Sequence, residues 1–190
     1  MEAVKIPQES KPEPKIYVAN LEAYNNGRML GAWVSPLQYD SFDKFAKRIK
    51  EVTRDTVDYA DEIAVHDYDY LPSSMGEYPD IEGIYDFCHQ IEDSSLCLDA
   101  LIAYAEYMHG SDITQINFTE AEDLYCGKYN YFKDYAEYYF DECGDGAEIE
   151  KLPENLQFHF DMHSYSKDLQ YHYHVVERGA PHYGVFVFHA

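Results

Sequence analysis

Residues 55–127 hold 18 aspartates and glutamates and not one lysine or arginine. That feature narrows the folds open to the chain. Unbalanced charge repels itself, so the carboxylates must reach water while apolar residues recur at a spacing that builds a core on the opposite side. The acidity is regional. Of the formal net charge of −22, residues 76–150 carry −17, residues 16–75 carry −4, residues 151–190 carry −1, and residues 1–15 are balanced. A uniformly acidic coat would load every segment. A disordered acidic tail would lack apolar periodicity, which this region has.

In DIEGIYDFCHQIED (80–93), Ile81, Ile84, Cys88 and Ile91 recur at helical spacing and are expected to face a core. Glu82, Asp86 and Asp93 fall on the other side of the same helix. SLCLDALIAYAEYM (95–108) repeats the arrangement. Leu98, Leu101, Ile102, Ala105 and Met108 form its apolar face, Asp99 and Glu106 its outer one, and Ser94 or Ser95 is the expected N-cap. Ordinary solvated helices pair Glu with Lys one turn on, and this region never does.

The flanks read as mixed α and β. KIYVANL (15–21) is a strand, NNG (25–27) a turn, and RMLGAWV (28–34) a second strand. A helix over 35–52 places Phe42, Phe45, Ala46 and Ile49 on one face, and a strand over 61–70 turns Ile63 and Val65 inward. This ββαβ unit ends near Pro72. Residues 111–126 contain a strand, and a helix over 131–142 is closed by Gly144 or Gly146. A helix over 152–169 and strands over 170–177 and 182–190 complete the chain. The expected class is α+β. It comprises a flexible tail (1–15), an N-terminal α+β domain (16–75), an acidic helical middle (76–118) and a C-terminal α+β domain (119–190).

Composition excludes several roles. Hydrophobic content of 46% and 20 tyrosines argue against disorder, and no apolar run is long enough to span a membrane. Nucleic-acid binding needs a basic patch, so the expected partner is a protein with a basic surface. Cys88, Cys97, Cys126 and Cys143 show no CxxC spacing, which fits reduced thiols in a cytoplasm. His159 and His163 at i, i+4, and His172 and His174 flanking Tyr173, have spacings that can chelate zinc, but no HExxH accompanies them. An EF-hand-like start at Asp141, Asp145 and Gly146 fails, with Cys143 at the third position and Leu152 at the twelfth. GxSxG, P-loop and GxGxxG motifs are absent. The expectation is a protein that is not an enzyme and uses no metal and no cofactor.

Four further stretches carry a family resemblance. IYVANLEAYNNGRMLGAWV (16–34), EIAVHDYDYLP (62–72), DYAEYYFDECG (134–144) and LPENLQFHFDMHSYSKDL (152–169) resemble, in order, the ArdA-type antirestriction proteins. The resemblance implies an elongated chain of three small domains that pairs into a curved homodimer. It also implies DNA mimicry, in which an acidic surface occupies the DNA groove of type I restriction–modification enzymes. Two chains of net charge −22 carry the charge of about 75 Å of B-DNA, roughly 22 base pairs. The region around His159, Met162 and His163 departs from the family's more acidic, tyrosine-rich form and could serve the dimer contact instead.

The expected mimic surface is collective. It comprises Asp80, Glu82, Asp86, Glu92, Asp93, Asp99 and Glu106, then Asp112, Glu120, Glu122 and Asp123, with Asp58, Asp61, Glu62 and Asp67 extending it. The alternative is an acidic module for another basic partner, such as a nucleoid protein or a different nuclease.

Overall fold

The computed structural model describes residues 13–55, 62–143, 145–179 and 183–190. They divide into two compact units, one ending at Ile116 and the other beginning at Asn117. Each combines helices with a small antiparallel sheet, as the α+β reading expects.

In the first unit β1 (Lys15–Asn20) lies between β2 (Gly31–Val34) and β3 (Ile63–Asp69), antiparallel to both. Ile16 and Val18 face α2 (Phe42–Val52), whose Phe45 and Ile49 are buried, so the ββαβ reading holds. A short helix α1 (Leu21–Asn25) precedes the expected turn, and a buried asparagine explains it. Asn20 Oδ1 accepts the Ala23 N–H (2.8 Å) while its Nδ2 donates to the Thr53 carbonyl (2.9 Å). Both ends of a buried amide are thereby satisfied, and the end of β1 is tied to the end of α2. Arg28, expected in the second strand, instead grips Asp55 through two bonds of 3.0 and 2.6 Å, and the strand starts at Gly31. On β3, Ala64 and Val65 are both buried where alternation was expected. Paired with Ala19 and Val18, they point to opposite faces, and both faces are covered there; a register shift beyond Val65 then inserts His66 and breaks the period of two.

The acidic helices α3 (Ile81–Asp93) and α4 (Leu98–Met108) belong to this same unit. Ile84, Phe87, Cys88 and Ile91 are buried as a helical stripe, with Ile81 only half-buried. Tyr85 reaches α2, its ring 5.9 Å from that of Phe42 and 5.8 Å from that of Phe45, and its hydroxyl donates to the Tyr39 carbonyl (3.2 Å). The Val65 N–H donates to the Glu77 carbonyl (2.8 Å), joining β3 to the approach of α3. Residues 76–116 therefore pack with the N-terminal sheet.

Two local expectations fail. Cys97, not a serine, caps α4; Ser94 ends α3, and its hydroxyl accepts the Leu96 N–H (3.1 Å), holding the bend between the helices. Met108 is 41% exposed because the helix stops there and only the earlier turns meet the core. A third contact is set by Gly83 in the first turn of α3. A Cβ there would lie 2.7 Å from Thr114 Cγ2, so the 3-10 turn Ile113–Gln115 rests directly on the helix backbone.

The second unit runs α5 (Phe118–Leu124), β4 (Tyr125–Tyr129), α6 (Phe132–Glu142), α7 (Asp145–Glu150), α8 (Glu154–Gln157), α9 (Met162–Gln170), β5 (Tyr173–Arg178) and β6 (Gly184–His189). Its sheet order is β4-β6-β5, antiparallel throughout. Tyr129, Phe132, Tyr135, Ala136, Val185 and Val187 form the core, with Tyr139, Leu169 and Tyr173 packed against it. The expected strand within 111–126 is confined to its last two residues, because Asn117 caps a helix first, its side chain accepting the Glu120 N–H (3.3 Å). Gly146 does not close α6 but lies inside α7, and Gly144 is outside the described residues. The helix expected over 152–169 is two helices, because Asp161 starts α9 afresh by accepting from His163 N (2.9 Å) and Ser164 Oγ (2.7 Å).

Candidate functional site

Amphipathic packing dictates where the acids of the first unit go. Once Ile84, Phe87, Cys88 and Ile91 are buried, the geometry of 3.6 residues per turn turns Glu82, Asp86, Glu92 and Asp93 to solvent, and all four are exposed. Asp80 is exposed at the N-cap of α3, its Oδ1 accepting the Gly83 N–H (3.0 Å). With Glu82 it sits where the helix dipole favours negative charge. Asp112 caps the following 3-10 turn, accepting from Thr114 N (3.0 Å) and Thr114 Oγ1 (2.7 Å). These two acids thus shape the fold as well as the surface.

Asp99 and Glu106 on α4 are only half-exposed, because that helix is buried on most of its circumference: Ala100, Ala103 and Tyr104 join the expected apolar face. Glu62 and Asp67 are exposed at and on β3. Glu120 and Asp123 are exposed on α5, with Glu122 half-exposed, and all three belong to the second unit. Asp58 and Asp61 lie outside the described residues. The residue-type reading passed over Asp69 and Glu77, both exposed within the same run. The bare count of acids against bases would have found both, and the strand period of two puts Asp69 on the face of Asp67.

Electrostatically the surface is open. Among the described residues, Asp67, Asp80, Glu82, Asp86, Asp93 and Asp112 form no ion pair, whereas Asp40 just before α2 pairs with Lys44 (2.7 Å) and Glu51 within it with Lys47 (3.9 Å). Asp86 and Asp40 both act on Tyr85, whose phenol is pushed up chiefly by burial and further by those two carboxylates.

Other chemistries find little footing. Among the described residues no group of three or more His, Cys, Asp and Glu is placed to hold a metal ion. His159 stands in the turn before α9 and His163 within it, and His172 precedes β5 while His174 is in it, so neither chelating spacing is realised on one regular element. An apolar cavity of about 300 Å³ beneath α2, walled by Val18, Phe42, Ile49, Ile63 and Val65, brings one lysine, Lys50, and one carboxylate, Glu77, to its lining. No described helix is long and apolar enough to cross a membrane.

No curated protein matches the chain's sequence. A family model does, described as antirestriction protein (ArdA), over residues 16–181. The match takes in most of the chain, every strand but β6 (from Ile16 onward in β1) and every outward acid described above, and the chain belongs to the ArdA antirestriction family.

Proposed function

We propose that this chain inhibits type I restriction–modification enzymes by standing in for B-DNA. Family membership supports antirestriction, the action of an inhibitor of restriction enzymes and not of a catalyst. The observation that carries the finer reading is the outward acidic face of α3 and its neighbours, in a stretch with no lysine or arginine from residue 55 to 127. Carboxylates one turn apart on a helix are separated by about 6 Å along its axis. Phosphates advance about 3.4 Å per nucleotide along a strand and lie somewhat farther apart through space. A groove lined with Lys and Arg for phosphates can accept carboxylates at such a pitch.

In this reading the acids act as a sum, and no single one is indispensable. The chain works in the cytoplasm as a homodimer. The nearly neutral C-terminal region supplies the dimer contact.

The test is competition. Fluorescent duplex bound to a type I methyltransferase core is titrated with the protein at about 50 and 200 mM salt. Displacement at near-stoichiometric protein, weakening by a factor of ten or more at the higher salt, is expected. A folded sample that displaces nothing at low salt would overturn DNA mimicry and favour another basic partner.

A further inference from the structure

The sheet of the first unit has an outer face whose aromatic residues the acidic-surface account leaves unused. Trp33, the chain's one tryptophan, is 45% exposed there. Register places Trp33 opposite Tyr17, and Tyr17 opposite Asp67, so the three lie side by side across β2, β1 and β3. The Tyr17 and Trp33 rings meet edge to face, with centroids 5.6 Å apart and planes at 69°. Two ring faces at that angle form two walls of a corner, and directly opposed residues across strands bring Asp67 within about 5.5 Å of Tyr17 at Cβ. One strand position further, Asp69 stands opposite Lys15, whose ammonium is held by Glu13 (3.2 Å). Asp67 and Asp69 form no ion pair among the described residues.

Aromatic faces attract cations through their quadrupole, and Trp does so best. A carboxylate beside such rings selects a planar guanidinium, which can stack on a ring and hydrogen-bond at its edge together; a lysine ammonium cannot stack. Buried aromatic anchors of this kind dominate protein–protein binding energy, while rim charges steer approach. From this geometry we propose that Trp33, Tyr17 and Asp67 form an arginine-binding subsite, which takes an arginine side chain from the basic surface of the protein partner. The proposal rests on the reading above only in expecting a basic partner. It adds a discriminating contact to a surface that otherwise sees net charge alone.

The single tryptophan makes the test local. Full-length protein is titrated with octa-arginine and octa-lysine, probes of equal charge, and Trp33 emission is followed. Octa-arginine is expected to perturb the emission and to bind about fivefold tighter than octa-lysine, and Asp67→Asn should shrink that preference. Labelled peptides read the same preference by anisotropy in Trp33→Ala, where it should vanish while octa-lysine binding is unchanged. Trp33→Phe keeps an aromatic wall and should retain part of it, guarding against a folding defect. Equal binding of the two peptides by the native protein, or a preference that survives Trp33→Ala, overturns the subsite. Failure of the duplex competition with the peptide preference intact removes DNA mimicry and leaves this subsite standing.

Discussion

Helices α2 and α3 are built on the same plan and finished differently. Both bury an apolar stripe in one shared core, meeting through Phe42, Phe45 and Tyr85. On its outer side α2 mixes signs, with Lys44 bonded to Asp40, and Lys47 and Arg48 facing Glu51 at 3.9 and 3.7 Å. The outer side of α3 carries Glu82, Asp86, Glu92 and Asp93 and no base. Since α2 folds with balanced charge in the same unit, packing does not demand the imbalance on α3. Its acids are a property of the surface, maintained against their mutual repulsion.

The sharpest way to break this comparison is through the core the helices share. Phe45→Ala on α2 and Phe87→Ala on α3 should each cost about 3–5 kcal/mol. If residues 13–116 unfold together, both shift one urea transition. Separate transitions would instead divide the N-terminal lobe from the acidic middle, as the three-domain layout requires.

The surface comes next. Glu82→Gln, Asp86→Asn and Asp93→Asn combined should weaken duplex displacement on the order of tenfold and flatten its salt dependence. Melting temperature should stay level or rise, because repulsion is relieved. Any one of these changes alone should leave inhibition largely intact, and a single Asp→Asn that abolished it in a folded protein would point to a discrete site. Neutralising Lys44, Lys47 and Lys50 on α2 is the matched control, with inhibition expected to hold.

A smaller effect separates an acid's two roles. Asp80→Ala removes the cap on Gly83 N–H and should cost about 1 kcal/mol in chemical denaturation. Glu82→Gln removes equal charge and no cap, so it should cost less stability.

Smallest of all is the ion pair on α2. Bonding and charge from Lys44 hold Asp40 below the ordinary carboxylate range. A depressed folded value means its contribution is present above that range and fades as pH falls through the folded value. Asp40→Asn should therefore lower thermal stability slightly at pH 7, by a margin that shrinks as pH falls below the ordinary carboxylate range. Added salt should weaken that pair while stabilising the α3 side, where screening acts on repulsion.

Periodicity made the helical parts of this picture readable. Ile84, Cys88 and Ile91 faced the core because a 3.6-residue repeat leaves them no other side, and the same repeat exposed Glu82, Asp86 and Asp93. Where tertiary contact decides, the sequence was mute. The extra residue in β3 answers to its pairing with β1, and the half-exposure of Asp99 and Glu106 to the burial of most of the circumference of α4. Helix α5 was legible in principle, since Asn117 followed three residues later by Glu120 is a cap signal, but the β-branched and aromatic residues around it suggested a strand. The corner made by Trp33 and Tyr17 depends on strand register, which composition does not contain.

Gly83 gives the acidic face a different kind of robustness. Because Thr114 sits on the bare backbone of this residue, Asp112 and Asp80 are held in step although 32 positions separate them in the chain. An alanine there would bring a methyl against Thr114 Cγ2 (2.7 Å) and Asp80 Oδ2 (2.8 Å), so one or both side chains would have to shift. Under mutation, then, the acids on the face can trade places with little loss, whereas a residue on which their spacing depends bears no charge at all.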